Sequence, residues 1–240
     1  MGWHRQLLIG FDLETTGTDP REARIVTAAV IEVAGGEPAG RREWLADPGV
    51  EIPADAVAVH GISNERATAE GRPADRVADA LADVLTGYWK SGVPVVAYNA
   101  AFDLTLLSAE LRRHGLPSLR DRLGGAEPGP VIDPYTIDRW ADRYRRGKRT
   151  LEAVCTEYGI VLDSAHDASA DALAAARLAC AIAGRHPKVA ALGPAELHRR
   201  QIEWYAAWAA DFQDFLRRKG DPAAVVDGSW PLREPAADTV

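Results

Sequence analysis

Cysteine is nearly absent. Only Cys155 and Cys180 occur in 240 residues, and their separation matches no metal-binding spacing, so neither a disulfide framework nor a thiolate metal site is available. Both read as reduced thiols packed between helices. No apolar run approaches the roughly 18 residues that a bilayer span requires. The start, "MGWHRQLLIGFD", lacks the long apolar stretch and cleavage site of a signal peptide. These absences point to a soluble, cytoplasmic protein with no membrane association. Internal repeats and low-complexity tracts are missing too. Excess positive charge is also lacking: the formal net charge is −7. That argues against a protein that coats nucleic acid wholesale, but not against a local basic groove.

What is present is an ordinary globular composition, 47% hydrophobic and 26% charged, in a chain long enough for one large domain or a domain with an extension. Residues 6–14, "QLLIGFDLE", read as a strand. Leu7, Ile9, Phe11 and Leu13 share one face, and Leu8, Gly10, Asp12 and Glu14 the other. "RIVTAAVIEV" is a second strand, "GGEPAG" a hairpin-like connection and "RREWLA" a third strand, which together suggest an antiparallel meander. A Pro- and Gly-rich loop containing "AVHGIS" follows. Residues 73–90 read as a helix, "VPVVAYN" as a central strand, and "AAFDLTLLSAELRRHG" as a helix that Asn99 is placed to cap. "PVIDPYTID" offers a short strand before a helix. "RTLEAVCTEYGI" and "HDASADALAAARLACAIAG" read as helices ending at Gly159 and Gly184. A meander followed by alternating helices and strands implies an α/β fold with a mixed central sheet flanked by helices. The composition shifts after Gly184, dividing the chain into a main domain, 1–184, and a C-terminal extension, 185–240. In the extension, "RHPKVAALGP" reads as a linker, and a helix from Pro194 carries Leu197, Trp204, Tyr205, Trp208, Phe212, Phe215 and Leu216 along one stripe. The tail reads as irregular and mobile towards its end.

Asp12 and Glu14 interrupt the apolar first strand on one face, roughly 6–7 Å apart from the rise per residue. Two carboxylates that close, away from water, raise each other's pKa, so either they lie on an open face or something positive sits between them. A hard divalent cation with oxygen ligands is the economical answer. Asp103 falls in the first turn of a helix directly after an apolar strand, where α/β sheets build sites and where an acid also complements the helix dipole. His166 and Asp171 are five residues apart. That separation is about 500° of helical turn, so His166 is expected just before the helix and Asp171 on its early turns.

Taken together, "FDLETTG", "YNAAFD" and "HDASADA" resemble the three exonuclease motifs of the DnaQ-like DEDDh 3′–5′ exonucleases, the family of bacterial proofreading subunits. "VHGI" falls between the first two, and the resemblance covers about residues 5–184. It implies an RNase H-like fold and two divalent cations, Mg²⁺ or Mn²⁺. It makes Asp12, Glu14, Asp103 and Asp171 the metal-site carboxylates and His166 the general base. Asp12 would bridge the ions, Glu14 and Asp171 would complete one site, and Asp103 would act largely through bound water. The same resemblance puts Leu13, Thr15, Thr16 and His60 near the 3′-terminal nucleotide. Phe102 stands where a ring could stack on a base or pack into the core, and Asn99 where it could support the motif.

The stretch 139–149, "RWADRYRRGKR", interleaves Arg139, Arg143, Arg145, Arg146, Lys148 and Arg149 with Trp140 and Tyr144. It reads equally as a strand guide or a solvated helix end. A polymerase contact, if present, would lie in 194–218. However, "FQDFL" is a poor match to a clamp-binding peptide, which favours a stand-alone enzyme. The resulting expectation is a metal-dependent exonuclease releasing nucleoside 5′-monophosphates from single-stranded 3′ ends, DNA before RNA. The alternatives are an RNA-trimming, oligoribonuclease-like enzyme and a non-catalytic module that holds nucleic-acid ends.

Overall fold

Alternation along the first strand decides the architecture. In the computed structural model, which describes residues 2–162 and 165–233, β1 (Leu7–Thr15) pairs antiparallel with β2 (Ile25–Ala34), and β2 pairs antiparallel with β3 (Glu37–Asp47). Short strands complete a six-stranded sheet in the order β4-β3-β2-β1-β5-β6. Here β4 (Arg72–Pro73) runs parallel to β3, and β5 (Val95–Val96) and β6 (Val131–Ile132) run parallel to β1. The helices are α1 (Ala54–His60), α2 (Asn64–Glu70), α3 (Ala74–Lys90), α4 (Ala100–Arg113), α5 (Leu119–Arg122), α6 (Pro134–Ala141), α7 (Leu151–Tyr158), α8 (Ala168–Arg185), α9 (Pro187–Ala190) and α10 (Pro194–Lys219). Among the described residues, no helix is long and apolar enough to cross a membrane.

Both faces of the sheet are covered, so both sets of β1 side chains matter. Ile9, Phe11 and Leu13 join Leu81 and Leu85 of α3 and Leu104 and Leu107 of α4 in one core. Leu8 joins Val96, Ile132 and the Ala-rich face of α8, including Ala172, Ala176 and Ile182, in the other. Each large apolar side chain buried this way contributes roughly 1.5–3 kcal/mol. The two cores make three layers, helix on sheet on helix.

The α8 layer comes unusually close. Gly10 has no side chain, and a Cβ placed on it would lie 2.3 Å from the carbonyl oxygen of Ala172. Glycine on β1 and alanines on α8 therefore let the helix backbone rest on the strand. This contact brings the start of α8 beside the polar end of β1.

The structure corrects several sequence expectations. The third strand starts at Glu37 rather than Arg41, because Gly35 and Gly36, with φ of 62° and 91°, make the whole connection as a two-residue turn. Pro38 is tolerated opposite Val33, where the β2–β3 register shifts. The expected loop around "AVHGIS" holds α1 and α2, the second capped by Ser63, whose side chain accepts from Arg66 N. The expected linker is packed: it carries α9, Val189 is buried, and the Trp3 indole donates to the Val189 carbonyl at 3.4 Å.

The tail to Arg233 returns to the core, with Trp230 buried. Residues 234–240, where mobility is expected, lie outside the described residues. The stripe on α10 also divides. Leu197, Gln201, Tyr205 and Ala209 are buried, whereas Phe212 and Phe215 reach the surface. The buried half seals the sheet edge. His198 Nδ1 accepts from Val131 N at 3.0 Å, Gln201 Nε2 donates to Val131 O at 2.9 Å, and Gln201 Oε1 accepts from Asp133 N at 2.7 Å. Side chains of α10 thus satisfy the backbone groups of β6 that a further strand would otherwise take.

The close contact at Gly10 yields a test. Gly10→Ala should destabilise the fold by about 1–3 kcal/mol through overpacking, read as a lower urea midpoint with an unchanged slope. Wild-type stability would show that α8 is not seated on β1 as described.

Candidate active site

The carboxyl ends of the central strands β1 and β5 and the start of α8 meet at one end of the sheet. Asp12 and Glu14 project from the α8 side of β1, half-buried. A register shift between Glu14 and Thr15 ends regular pairing there and re-aims the strand. Asp103 sits in the first turn of α4 at 4% exposure. Its Oδ1 accepts from the Leu13 amide at 3.2 Å, which fixes α4 to the polar end of β1. His166 is exposed, with φ of 65°, and lies just before α8. Asp171 lies in the first turn of α8, and its Oδ2 accepts from His166 N at 3.2 Å. One ligand atom from each of Glu14, His166 and Asp171 falls within 4.8 Å of the others.

The electrostatics of this cluster are unfavourable without a cation. Burial, then repulsion from Asp103, Asp171, Glu14 and Asp167, pushes Asp12 well above the usual carboxylate range. Burial also lifts Asp103 well above it, although two backbone amides pull the other way. Glu14 rises to about 7, through burial and then the charges of Asp171 and Asp167. Asp171 rises to about 6, mainly by burial, while the His166 amide and ring oppose the rise. In addition, Asp171 Oδ1 is buried and has no hydrogen-bond partner among the described residues. Gathered oxygens, raised pKa values and an orphaned acceptor fit a divalent cation, which would be held by Asp12, Glu14, Asp103 and Asp171.

A cleft of about 270 Å³ opens beside the cluster, and Glu14, His60, Arg66, His166 and Ser169 are among its walls. His60 Nδ1 accepts from Ile62 N at 3.1 Å, so the ring proton is on Nε2, which is buried and has no partner among the described residues. Burial, then the charge of His166, lowers the pKa of His60 and keeps that ring neutral.

The other expected contacts vary. Leu13 is buried. The Thr15 hydroxyl donates to Gly17 O at 2.8 Å, and the Thr16 hydroxyl accepts from Arg24 N at 2.9 Å. Phe102 is half-buried against the core. Asn99 precedes α4 with φ of 63°, but its side chain makes no capping hydrogen bond, contrary to expectation. It is held instead by its amide, which donates to Asp133 Oδ1 at 2.9 Å. Among the described residues, Asn99 and His166 are the non-glycine positions with positive φ, and both flank the site.

Most of the basic stretch is already engaged. Arg145 and Arg149 both pair with the buried Asp138, Arg143 pairs with Asp211 at 2.6 Å, and the Arg139 guanidinium lies between the rings of Tyr135 and Trp208.

Three bracing residues escape a motif reading. Asp133 is fully buried at the end of β6. Its carboxylate accepts from Asn99 N, Tyr135 N, the Thr136 hydroxyl and the Trp230 indole. The "DP" pair between strand and helix, an N-cap followed by Pro at the first helical position, is the signal that could have found it. Glu110 is fully buried in α4 and binds Arg24 at 2.6 Å, along with Arg113 and His114. Through Thr16, Arg24 and Glu110, the turn after β1 is tied to the helix that carries Asp103. Asp167 caps α8, accepting from Ser169 N and Ala170 N, and adds negative charge to the cluster.

Known proteins are similar to this chain in sequence and fold. The exonuclease family model RNase_T matches residues 9–179. The chain is 28% identical over 169 residues to the PolC-type DNA polymerase III of Oceanobacillus iheyensis. It is 29% identical over 170 residues to that of Halalkalibacterium halodurans. Both alignments cover 70% of this chain but 11% of the relative, so the chain spans about a tenth of these proteins. Zinc-bound E. coli exonuclease I with single-stranded DNA matches with a TM-score of 0.64 at 22% identity, covering 77% of this chain and 42% of that one. Exonuclease X in complex with 5′ overhanging duplex DNA matches at 0.56 and 22% identity, covering 81% and 99%. At such identities these structures share the fold.

The raised pKa values predict how stability responds to pH. Glu14 keeps its proton to about pH 7 when folded but loses it near 4.5 when unfolded, and Asp171 to about 6 against 3.8. Between these limits the folded state binds more protons than the unfolded one, so stability falls as pH rises. With EDTA present, the melting temperature should drop through this window. Mn²⁺ should raise it more above about pH 7 than below about pH 5. A flat profile in EDTA would contradict the charge arrangement.

Proposed function

The chain belongs to the RNase_T exonuclease family, and on that premise we propose that it is a DnaQ-like 3′–5′ exonuclease that trims single-stranded DNA from the 3′ end, releasing nucleoside 5′-monophosphates. The observation that carries this reading is the meeting of Asp12, Glu14, Asp103 and Asp171 with His166 at one end of the sheet. Bound Mg²⁺ or Mn²⁺, two ions in the proposed enzyme, would offset phosphate charge and acidify the attacking water.

The protein's own groups do the rest. Asp12, Glu14, Asp103 and Asp171 would hold the cations, which would offset phosphate charge despite the chain's net negative charge. His166 accepts a proton from the water as its oxygen attacks phosphorus. The bond from phosphorus to the 3′-oxygen of the preceding nucleotide then breaks, the nucleoside 5′-monophosphate leaves, and that oxygen takes a proton from solvent to become the new 3′-hydroxyl. His166 is exposed, fixed at its backbone by Asp171, and can exchange that proton with solvent. The Nε2–H of His60, on the cleft wall, is a donor for the terminal sugar. Leu13, Thr15, Thr16, Asn99 and Phe102 complete the proposed substrate-facing set, the two threonines through a turn their hydroxyls already hold in shape. Residues 185–240 are proposed as an extension of the exonuclease domain. The use of α10 to seal β6 supports a stand-alone enzyme over one that reserves this helix for a polymerase.

A 5′-labelled single-stranded oligomer should shorten stepwise from its 3′ end with Mg²⁺ or Mn²⁺ and remain intact in EDTA. Matched DNA and RNA oligomers decide the preferred sugar. Asp12→Ala should abolish hydrolysis while leaving the circular dichroism spectrum unchanged, and full activity in that variant would refute the assignment. His166→Ala should slow hydrolysis by roughly 10²–10⁴-fold with Mn²⁺ binding, measured by titration calorimetry, largely kept.

A further inference from the structure

The aromatic stripe of α10 continues past the point where its core packing ends. Phe212 is 39% and Phe215 45% exposed, yet their rings are arrayed. Trp208 and Phe212 have centroids 5.5 Å apart with planes at 15°, and Phe212 and Phe215 are 6.3 Å apart at 13°. The Arg139 guanidinium extends the row, 3.9 Å from the Trp208 ring centre and 4.1 Å from that of Tyr135. Tyr135 in turn meets Tyr98 at 5.4 Å. The row therefore starts on the surface of α10 and ends at Tyr98, at the carboxyl end of β5. There the chain enters Asn99 and the helix carrying Asp103. Strand β5 neighbours β1, about 4.8 Å away, so the row leads to the end of the sheet where Asp12 and Glu14 lie.

A groove of about 530 Å³ runs beside the row, with Tyr135, Arg139, Arg143, Lys148, Arg149 and Trp208 among its walls. Its charge opposes that of the whole chain. Its walls carry Arg139, Arg143, Lys148 and Arg149 and, among the described residues, no acid, in a protein of net charge −7, although Arg143 pairs with Asp211 and Arg149 with Asp138. Arg139 is held between rings, and its buried Nη1 has no hydrogen-bond partner among the described residues. The Arg143–Asp211 pair is exposed on both sides, so a phosphate can replace Asp211 at little cost.

Parallel exposed rings beside a cationic groove suit one polymer in particular, a single strand with planar bases and a phosphate at every step. We propose that this row and groove form a second binding track, which holds single-stranded DNA upstream of the 3′ end being cleaved. Bases stack on Phe212 and Phe215, and phosphates lie along Arg143 and Lys148. The track rests on the exonuclease reading for its direction, and its rings Trp208, Phe212 and Phe215 lie on α10, beyond the residues 9–179 that the family model matches. It provides a grip on long strands that short ones lack.

The test is fluorescence anisotropy of a long, labelled oligothymidylate in EDTA, where nothing is hydrolysed. The wild-type full chain is compared with Phe212→Ala/Phe215→Ala and with Lys148→Ala. The ring variant should bind at least about 30-fold more weakly, as expected on removing two stacking side chains. Lys148→Ala should reduce the slope of log affinity against log salt by about 0.7. Both variants should keep the wild-type melting temperature and the wild-type rate of Mg²⁺-dependent hydrolysis of a thymidine dinucleotide, which is too short to reach the track. Unchanged oligomer affinity would overturn the proposal and leave the patch to a protein partner. An equal loss on the dinucleotide would overturn it as a general distortion of the fold. If the wild-type protein hydrolyses neither substrate, the exonuclease reading fails, while the binding comparison still decides the track.

Discussion

The site depends on one contact between two backbones, that of α8 resting on β1 at Gly10. Everything polar at that end of the sheet is referenced to it. Asp12 and Glu14 are two and four residues beyond Gly10 on the same face of the strand, and Asp171 immediately precedes Ala172, whose carbonyl approaches Gly10. A side chain between the two backbones would separate the acids of the strand from that of the helix. The alanine-rich face of α8 follows from the same demand, since larger residues would lift the helix away. Sequence, packing and chemistry are thus joined through a hydrogen atom in place of a methyl group.

That closeness has an electrostatic cost, which the rest of the fold is built to withstand. Like charges drawn together would push the elements apart, and α4 and α8 are held by more than apolar burial. Asp103 is bonded to the Leu13 amide, α4 is fastened through Glu110 to Arg24 and so to the turn after β1, and Asn99 is anchored by Asp133. Each of these bonds is worth little alone, but together they hold a set of carboxylates whose mutual repulsion is relieved by a cation or by protonation. The positive φ at Asn99 and His166 belongs to the same economy of strain, placed where geometry matters most.

Much of this was legible in the sequence, for identifiable reasons. The alternation in "QLLIGFDLE" fixes which residues of β1 face together, and strands with periodic apolar residues are hard to misread. The acids and His166 stand out because charge in an apolar run requires an explanation. What stayed hidden depends on contacts distant in sequence. Asn99 looks like a cap from its neighbours, and only the fold brings Asp133 to its amide instead. The basic stretch looks like a free surface until Asp138 and Asp211 arrive to pair with it. Gln201 sits inside an aromatic stripe and shows its purpose only when α10 lies against the bare edge of β6. The short helices α1 and α2 were missed for a different reason, since their caps are local but brief.

The hydrogen bond from Trp230 to Asp133 has a consequence in time. Asp133 is the acceptor that holds the approach to α4, and one of its donors is supplied 97 residues further along the chain. A chain made from its amino end cannot complete that set of donors until Trp230 has been translated. The nascent protein therefore carries its acids and imidazole before the brace from Trp230 is in place.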